Sequence, residues 1–100
     1  VGIMSSKHLV ISYDIADNKR RNKLVKILMD YAYRVQESVF EVCASPEDCL
    51  KLMKKLPAII NKEEDSVIIY ELCEADWKKR SQLGAETGEK DIFKDGYAVL

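Results

Sequence analysis

Leu9-Val10-Ile11-Ser12-Tyr13-Asp14-Ile15 and, about twenty residues later, Arg34-Val35-Gln36-Glu37-Ser38-Val39-Phe40 are the two stretches that decide how this chain folds. In the first, β-branched and aromatic residues dominate. Lys7 to Asp14 therefore reads as a strand with both faces largely apolar. It ends in a carboxylate beside a tyrosine, just before a basic segment. The second stretch opens with arginine and carries Gln, Ser and Phe where a plain core strand would be aliphatic. Tyr33 and Val35 share one phase of alternation, whereas Phe40 and Val42 share the other. Gln36-Glu37-Ser38 sits at the switch, which requires a β-bulge or a bend in the span Tyr33 to Cys43.

Outward from these strands, Asp17 or Asn18 is placed to cap a helix, because a short polar side chain accepts from its first free N–H groups. Leu24, Val25, Ile27, Leu28 and Tyr31 follow at helical spacing and form one apolar stripe. The opposite face carries Lys19, Arg20, Arg21, Lys23 and Lys26. Like charges at a helix start, where the dipole is also positive, gain nothing for folding, and a polyanionic partner explains them. Ser45-Pro46-Glu47-Asp48 is a second helix start, with serine as N-cap and proline in the first turn. Leu50, Met53, Leu56, Ile59 and Ile60 are expected on its core side, with an interruption at Pro57.

Asn61 to Asp65 reads as a polar turn. Ser66 to Leu72 reads as a strand buried on both faces, and Ser81 to Gly84 as a short further strand. Ala85 to Asp91 reads as a link. The apolar residues Ile92-Phe93 and Tyr97-Ala98-Val99-Leu100 then find no partner inside so small a core, which points to a swapped or interface segment. The element order is that of an α+β, ferredoxin-like βαββαβ sandwich with an extra C-terminal strand or tail. Residues 1–100 are read as a single domain, with a core over 7–84 and a tail over 85–100 at a dimer interface.

Apolar residues make up 47% of the 100 and charged residues 33%, a balance that fits a globular domain and excludes a disordered one. A domain this small covers only part of its apolar surface alone, so dimerisation is expected. The longest apolar runs are a few residues, so no membrane span is expected. No charged-then-apolar leader opens the chain, which predicts a cytoplasmic protein. Val1-Gly2-Ile3 ahead of Met4 reads as an upstream remnant. Cys43, Cys49 and Cys73 are odd in number and irregular in spacing, so all three are expected to be reduced, buried apolar residues. His8 is expected at the surface or a strand edge, and Trp77 over the edge of the core. Four scattered glycines make no phosphate cradle, and no Ser/His/Asp set is present. The net charge of −1 is low for a nucleic-acid binder, so any such function must rest on a local patch.

The Tyr13-Asp14-Ile15 strand end and the Arg34-Val35-Gln36-x-Ser38-Val39-Phe40 string together resemble the small CRISPR-associated nuclease family, Cas-two, over roughly residues 7 to 84. That resemblance implies a homodimeric, Mg²⁺-dependent endonuclease that acts in CRISPR spacer acquisition beside the Cas-one integrase. Its members cut single-stranded RNA or double-stranded DNA, and the motifs do not choose between them. Asp14 is then the catalytic and metal-binding carboxylate, because Asp17 serves better as the cap. One aspartate holds Mg²⁺ poorly, so two copies of Asp14 would share the ion across a two-fold axis. Arg20, Arg21 and Lys23 on the first helix, with Arg34, are the expected nucleic-acid contacts. Lys78-Lys79-Arg80 is the second basic candidate. Tyr13 is expected to pack in the core or interface, Ser38 to set the local backbone, and Phe40 to pack on its dimer mate. Two other roles share the fold: a non-catalytic architectural DNA-binding subunit, mildly favoured by the near-neutral charge, and a VapD-like toxin ribonuclease.

Overall fold

A computed structural model describes residues 6–84 and the backbone of residues 98–99. The first strand, β1 (Lys7–Asp14), leads into α1 (Asn18–Leu28), then β2 (Ala32–Gln36) and β3 (Val39–Ala44). α2 (Pro46–Lys55) runs into a single 3₁₀ turn at Leu56–Ala58, and β4 (Ser66–Leu72) follows. A short α3 (Glu74–Lys78) and β5 (Ser81–Gln82) complete the continuous part. The sheet order is β2-β3-β1-β4, with every neighbouring pair antiparallel. This is the ferredoxin-like order, and it puts the Asp14 strand in the middle.

The local signals act as read. Asp17 caps α1 by accepting from the Arg20 N–H at 2.9 Å. Ser45 caps α2 by accepting from the Asp48 N–H at 3.1 Å. The phase switch at residues 36–38 is a complete hairpin: β2 and β3 pair across the Glu37-Ser38 turn, with a register shift between Arg34 and Gln36. β5 pairs in parallel with β6 (Ala98–Val99). The rest of the expected link and apolar tail, and the Val1-Gly2-Ile3 remnant, lie outside the described residues.

Alternation on β1 sends Leu9, Ile11 and Tyr13 to one side of the sheet, where they meet Phe40 and Val42 of β3 and Leu24, Leu28, Leu52 and Leu56 of the helical segments. Phe40, Ile11, Leu24, Leu28, Leu52 and Val42 are fully buried. Each such side chain contributes roughly 1.5–3 kcal/mol by leaving water. Phe40, expected to pack on a dimer mate, is fully buried within the single chain and offers no surface for such a contact. The hairpin's phase switch turns it onto the helix-covered face.

On α2 and the turn after it, Leu56 and Ile59 are buried as expected, but the first turns bury Cys49 and Leu52 and leave Leu50 and Met53 exposed, a displacement of one position. On β4 only one face is covered. Val67 and Ile69 pack on the core, while Ile68 and Tyr70 stand 49% and 55% exposed on the opposite face.

That second face is partly covered at one end by α3. His8, expected at the surface, is buried there under Trp77, with ring centroids 4.6 Å apart and an interplanar angle of 11°. Its Nε2 lies 2.7 Å from Glu74 Oε1. Beside it, Arg80 Nε donates to buried Glu41 Oε2 at 2.5 Å. Of the cysteines only Cys49 is buried. Cys43 faces the open side of the sheet, and exposed Cys73 caps α3 by accepting from the Asp76 N–H at 3.4 Å. Among the described residues no helix is long and apolar enough to cross a membrane.

Candidate functional site

Strand parity explains the placement of Asp14. Tyr13 points into the core, so Asp14 points out of the other face at the strand's last residue, and it is exposed there. A groove of about 480 Å³ opens at this point, lined by Tyr13, Asp14, Arg21, Arg34, Glu37 and Ser38 among others. It gathers the end of β1, the first turns of α1 and the β2–β3 turn. The structure therefore brings five of the sequence-derived residues, Tyr13, Asp14, Arg21, Arg34 and Ser38, around one opening. Among the described residues no hydrogen bond or ion pair engages the Asp14 carboxylate, so its oxygens remain available to a ligand.

The two groove arginines are held by neutral acceptors. Arg21 Nη1 donates to the Ile15 carbonyl at 2.9 Å, and its Nη2 donates to Asn18 Oδ1. Arg34 donates through Nε and Nη2 to the Glu37 carbonyl, at 3.1 and 2.7 Å, and lies over the Phe40 ring at 5.7 Å from its centroid. Neither charge is cancelled by a carboxylate in these contacts, which suits both groups to phosphate. Lys23 stands exposed on α1 outside the groove lining, where it can extend the positive surface.

Arg20 is placed differently. Its Nε and Nη2 donate to Asp65 at 2.8 and 3.2 Å, and Nη2 also reaches Glu64 at 3.1 Å. The Asp65 side chain is fully covered and also accepts from the Asn61 N–H at 2.8 Å. Arg20 thus anchors the 61–65 turn to the start of α1. Its guanidinium is held above its ordinary pKa, chiefly by Asp65. The Asp65 carboxyl is held below the usual carboxylate range by Arg20 first, then by the N–H groups of Asn61 and Ala16. Arg80, from the second basic candidate, is spent on Glu41 in the same way.

A pH dependence follows from Asp65. Its folded pKa lies below its unfolded value of about 4, so its contacts stabilise the fold above that pH and are lost as pH falls through the folded value. Urea midpoints taken from neutral pH to about pH 3 should fall, and Asp65→Asn should flatten the fall while lowering the neutral plateau. Equal acid slopes in the two proteins would show that another carboxylate controls acid sensitivity.

Sequence reasoning missed the main-chain acceptors of this site, the carbonyls of Ile15 and Glu37. A carbonyl has no side-chain signature, and only the folded turn shows which one is used. Among the described residues there is no group of three or more His, Cys, Asp or Glu side chains able to hold a metal. Two carboxylate residues, Asp14 and Glu37, line the groove, and Asp14 is the one at the strand end.

Residues 7–80 match the family model described as CRISPR associated protein Cas2. The CRISPR-associated endoribonuclease Cas2 4 of Rhodospirillum rubrum is 42% identical over 94 residues, which cover 94% of this chain and 75% of that protein. The crystal structure of Streptococcus pyogenes Cas2 at pH 6.5 superposes with a TM-score of 0.64 at 31% identity, covering 73% of this chain and 93% of that one. A partial Cas6-RT-Cas1–Cas2 complex contains a chain matching with a TM-score of 0.62 at 35% identity, over 74% of this chain and 81% of its own. With its fold, its Tyr-Asp strand end and its arginine-led second motif all in place, this chain belongs to the Cas2 family of CRISPR-associated proteins.

Proposed function

We propose that this protein is a Mg²⁺-dependent endonuclease that hydrolyses phosphodiester bonds in single-stranded RNA, double-stranded DNA or both, and that it works in the cytoplasm during CRISPR spacer acquisition. The observation that carries the reading is the groove in which a free carboxylate, Asp14, faces Arg21 and Arg34. The guanidinium groups supply charge for phosphate, and the carboxylate supplies oxygen for a cation. Relatives named endoribonucleases support the activity. The match to a chain of a Cas1-containing complex supports the Cas-one integrase as a partner.

The donor set fits Mg²⁺. That ion is held through one or two carboxylates and keeps waters and substrate phosphate in the rest of its shell. Asp14 would hold it, one carboxylate from each of two protomers. When bound, the ion neutralises the scissile phosphate and sharpens an attacking water. Arg21, Lys23 and Arg34 bind and orient the nucleic acid, and Arg20 supports them by fixing the start of α1. A homodimer supplies the second Asp14. Ile68 and Tyr70 leave an apolar surface on the sheet face that Asp14 borders. Stacking two such faces covers it and turns the aspartates toward each other.

The direct test combines sedimentation with cleavage of RNA and duplex DNA, with and without Mg²⁺. A monomer at micromolar concentration, or cleavage indifferent to chelation, would overturn the reading. The architectural alternative retains one supporting observation, the net charge of −1. It wins if wild type assembles with its integrase yet cuts nothing in any divalent cation.

Binding should be electrostatic. Counterion release makes affinity fall steeply with salt. Replacing Arg21 and Lys23 by alanine should weaken binding to all sequences alike and reduce the slope of log K against log salt by about 2 for duplex DNA. An unchanged slope would move the contact surface off α1.

A further inference from the structure

The Glu37 carbonyl oxygen receives three donors from two side chains: Tyr13 Oη at 2.9 Å, Arg34 Nη2 at 2.7 Å and Arg34 Nε at 3.1 Å. A main-chain carbonyl offers two lone pairs, so side chains alone saturate this one. The next carbonyl, that of Ser38, accepts from the Tyr13 N–H at 3.1 Å. Both residues of the β2–β3 turn are therefore tied to Tyr13, the residue that precedes Asp14. The register shift between Arg34 and Gln36 bends β2 where Arg34 reaches back over its own turn. Phe40 supports both donors from below, 6.2 Å from the Tyr13 ring and 5.7 Å from the Arg34 guanidinium carbon.

We infer that Tyr13 is a positioning residue for phosphodiester cleavage, acting through the Glu37 carbonyl to hold Arg34 and the 37–38 turn in place around Asp14. The inference rests on the reading of this groove as a nuclease site. Tyr13 is 5% exposed and its hydroxyl is engaged with Glu37, so it does not itself contact substrate. Arg34 is the second half of the clamp as well as a charge. Removing the Tyr13 hydroxyl leaves Arg34 alone on the carbonyl and releases the turn. A displacement of about 1 Å at reacting groups costs up to about 100-fold in rate. The charges that bind nucleic acid stay present, so affinity is spared.

The test compares Tyr13→Phe, Arg34→Lys, the double variant and Asp14→Asn in the full-length dimer with Mg²⁺, on single-stranded RNA and duplex DNA. Tyr13→Phe should lower kcat by about 10- to 100-fold with KM within about twofold of wild type. Arg34→Lys keeps the charge but cannot fork onto the carbonyl, so it should lower kcat and preserve the salt slope. Because the two side chains act on one acceptor, the double variant should be no worse than about twofold below the poorer single one. Hydrogen exchange at the Tyr13 amide should quicken in Tyr13→Phe. Wild-type kcat or unchanged amide exchange in Tyr13→Phe overturns the inference, as does a fully multiplicative loss in the double variant. The two readings fail separately. Cleavage that survives Asp14→Asn removes this groove as the nuclease site, whereas an inactive Asp14→Asn beside a fully active Tyr13→Phe removes only the positioning role.

Discussion

Asp14→Asn should abolish cleavage while leaving the protein folded and dimeric. The amide is nearly isosteric with the carboxylate, and Asp14 is exposed at a strand end with no side-chain partner among the described residues, so no packing or ion pair is lost. Two carboxylates brought together across a two-fold repel when no cation lies between them, and the substitution removes that repulsion. Chemistry depends on what the carboxylate holds. A bound divalent ion supplies several kcal/mol of transition-state stabilisation, and about 4 kcal/mol corresponds to roughly a thousandfold in rate. Single-turnover cleavage should therefore drop by about three orders of magnitude, with nucleic-acid affinity within about threefold of wild type. Chelator should impose the same loss on wild type and no further loss on the variant. Activity that survives both treatments would place the reaction elsewhere in the molecule or in a contaminant.

The helix starts were legible because their causes are local. Asp17 and Ser45 each satisfy an N–H three residues away, and nothing distant competes for them. The succession of elements along the chain was legible from local pattern too, and the phase switch at Gln36-Glu37-Ser38 marked the hairpin although not where it divides. One-position errors arose where helical phase decides burial. Leu56 and Ile59 are buried as expected, but Leu50 and Met53 are as apolar as Cys49 and Leu52, and composition alone does not show which of these turns inward.

The misplaced residues share a different cause. His8 was assigned to the surface because its partners, Glu74 and Trp77, lie more than sixty residues along the chain on a helix too short to be read from periodicity. Arg20 looks like its neighbour Arg21 in sequence. It separates from it only because Asp65, 45 residues away, is buried against the start of α1. Phe40 belongs to a motif that resemblance assigned to an interface, yet alternation from the hairpin places it in the monomer core. In the groove, Asp14, Arg21 and Arg34 were legible as side chains, whereas the carbonyls that orient the arginines were not.

Arg80→Ala should destabilise the fold about as much as truncating a core side chain, although Arg80 lies outside the apolar core. Glu41 lies on the sheet face covered by α3, with its side chain 8% exposed, and Arg80 Nε donates to its Oε2 at 2.5 Å. The other oxygen, Oε1, is buried without a hydrogen-bond partner among the described residues. Truncating Arg80 strands a buried carboxylate, and breaking such a pair costs about 3–5 kcal/mol. A domain of this size has about 5–15 kcal/mol in all, so the loss is a large share of it. Part of the effect should fall on packing, because the Arg80 guanidinium carbon also lies 5.8 Å from the centre of the Trp77 ring, which covers His8. The pair itself need not contribute as much as its rupture costs. Replacing Glu41 and Arg80 together by leucines removes both charges, and the double variant should recover most of the stability lost in Arg80→Ala. Urea unfolding at one fixed protein concentration measures both quantities, since the stability of any self-associating protein depends on concentration. A loss below about 1 kcal/mol in Arg80→Ala would mean that water reaches Glu41 and that the pair behaves as a surface ion pair. A double variant as unstable as the single would instead locate the contribution of Arg80 in its packing on Trp77.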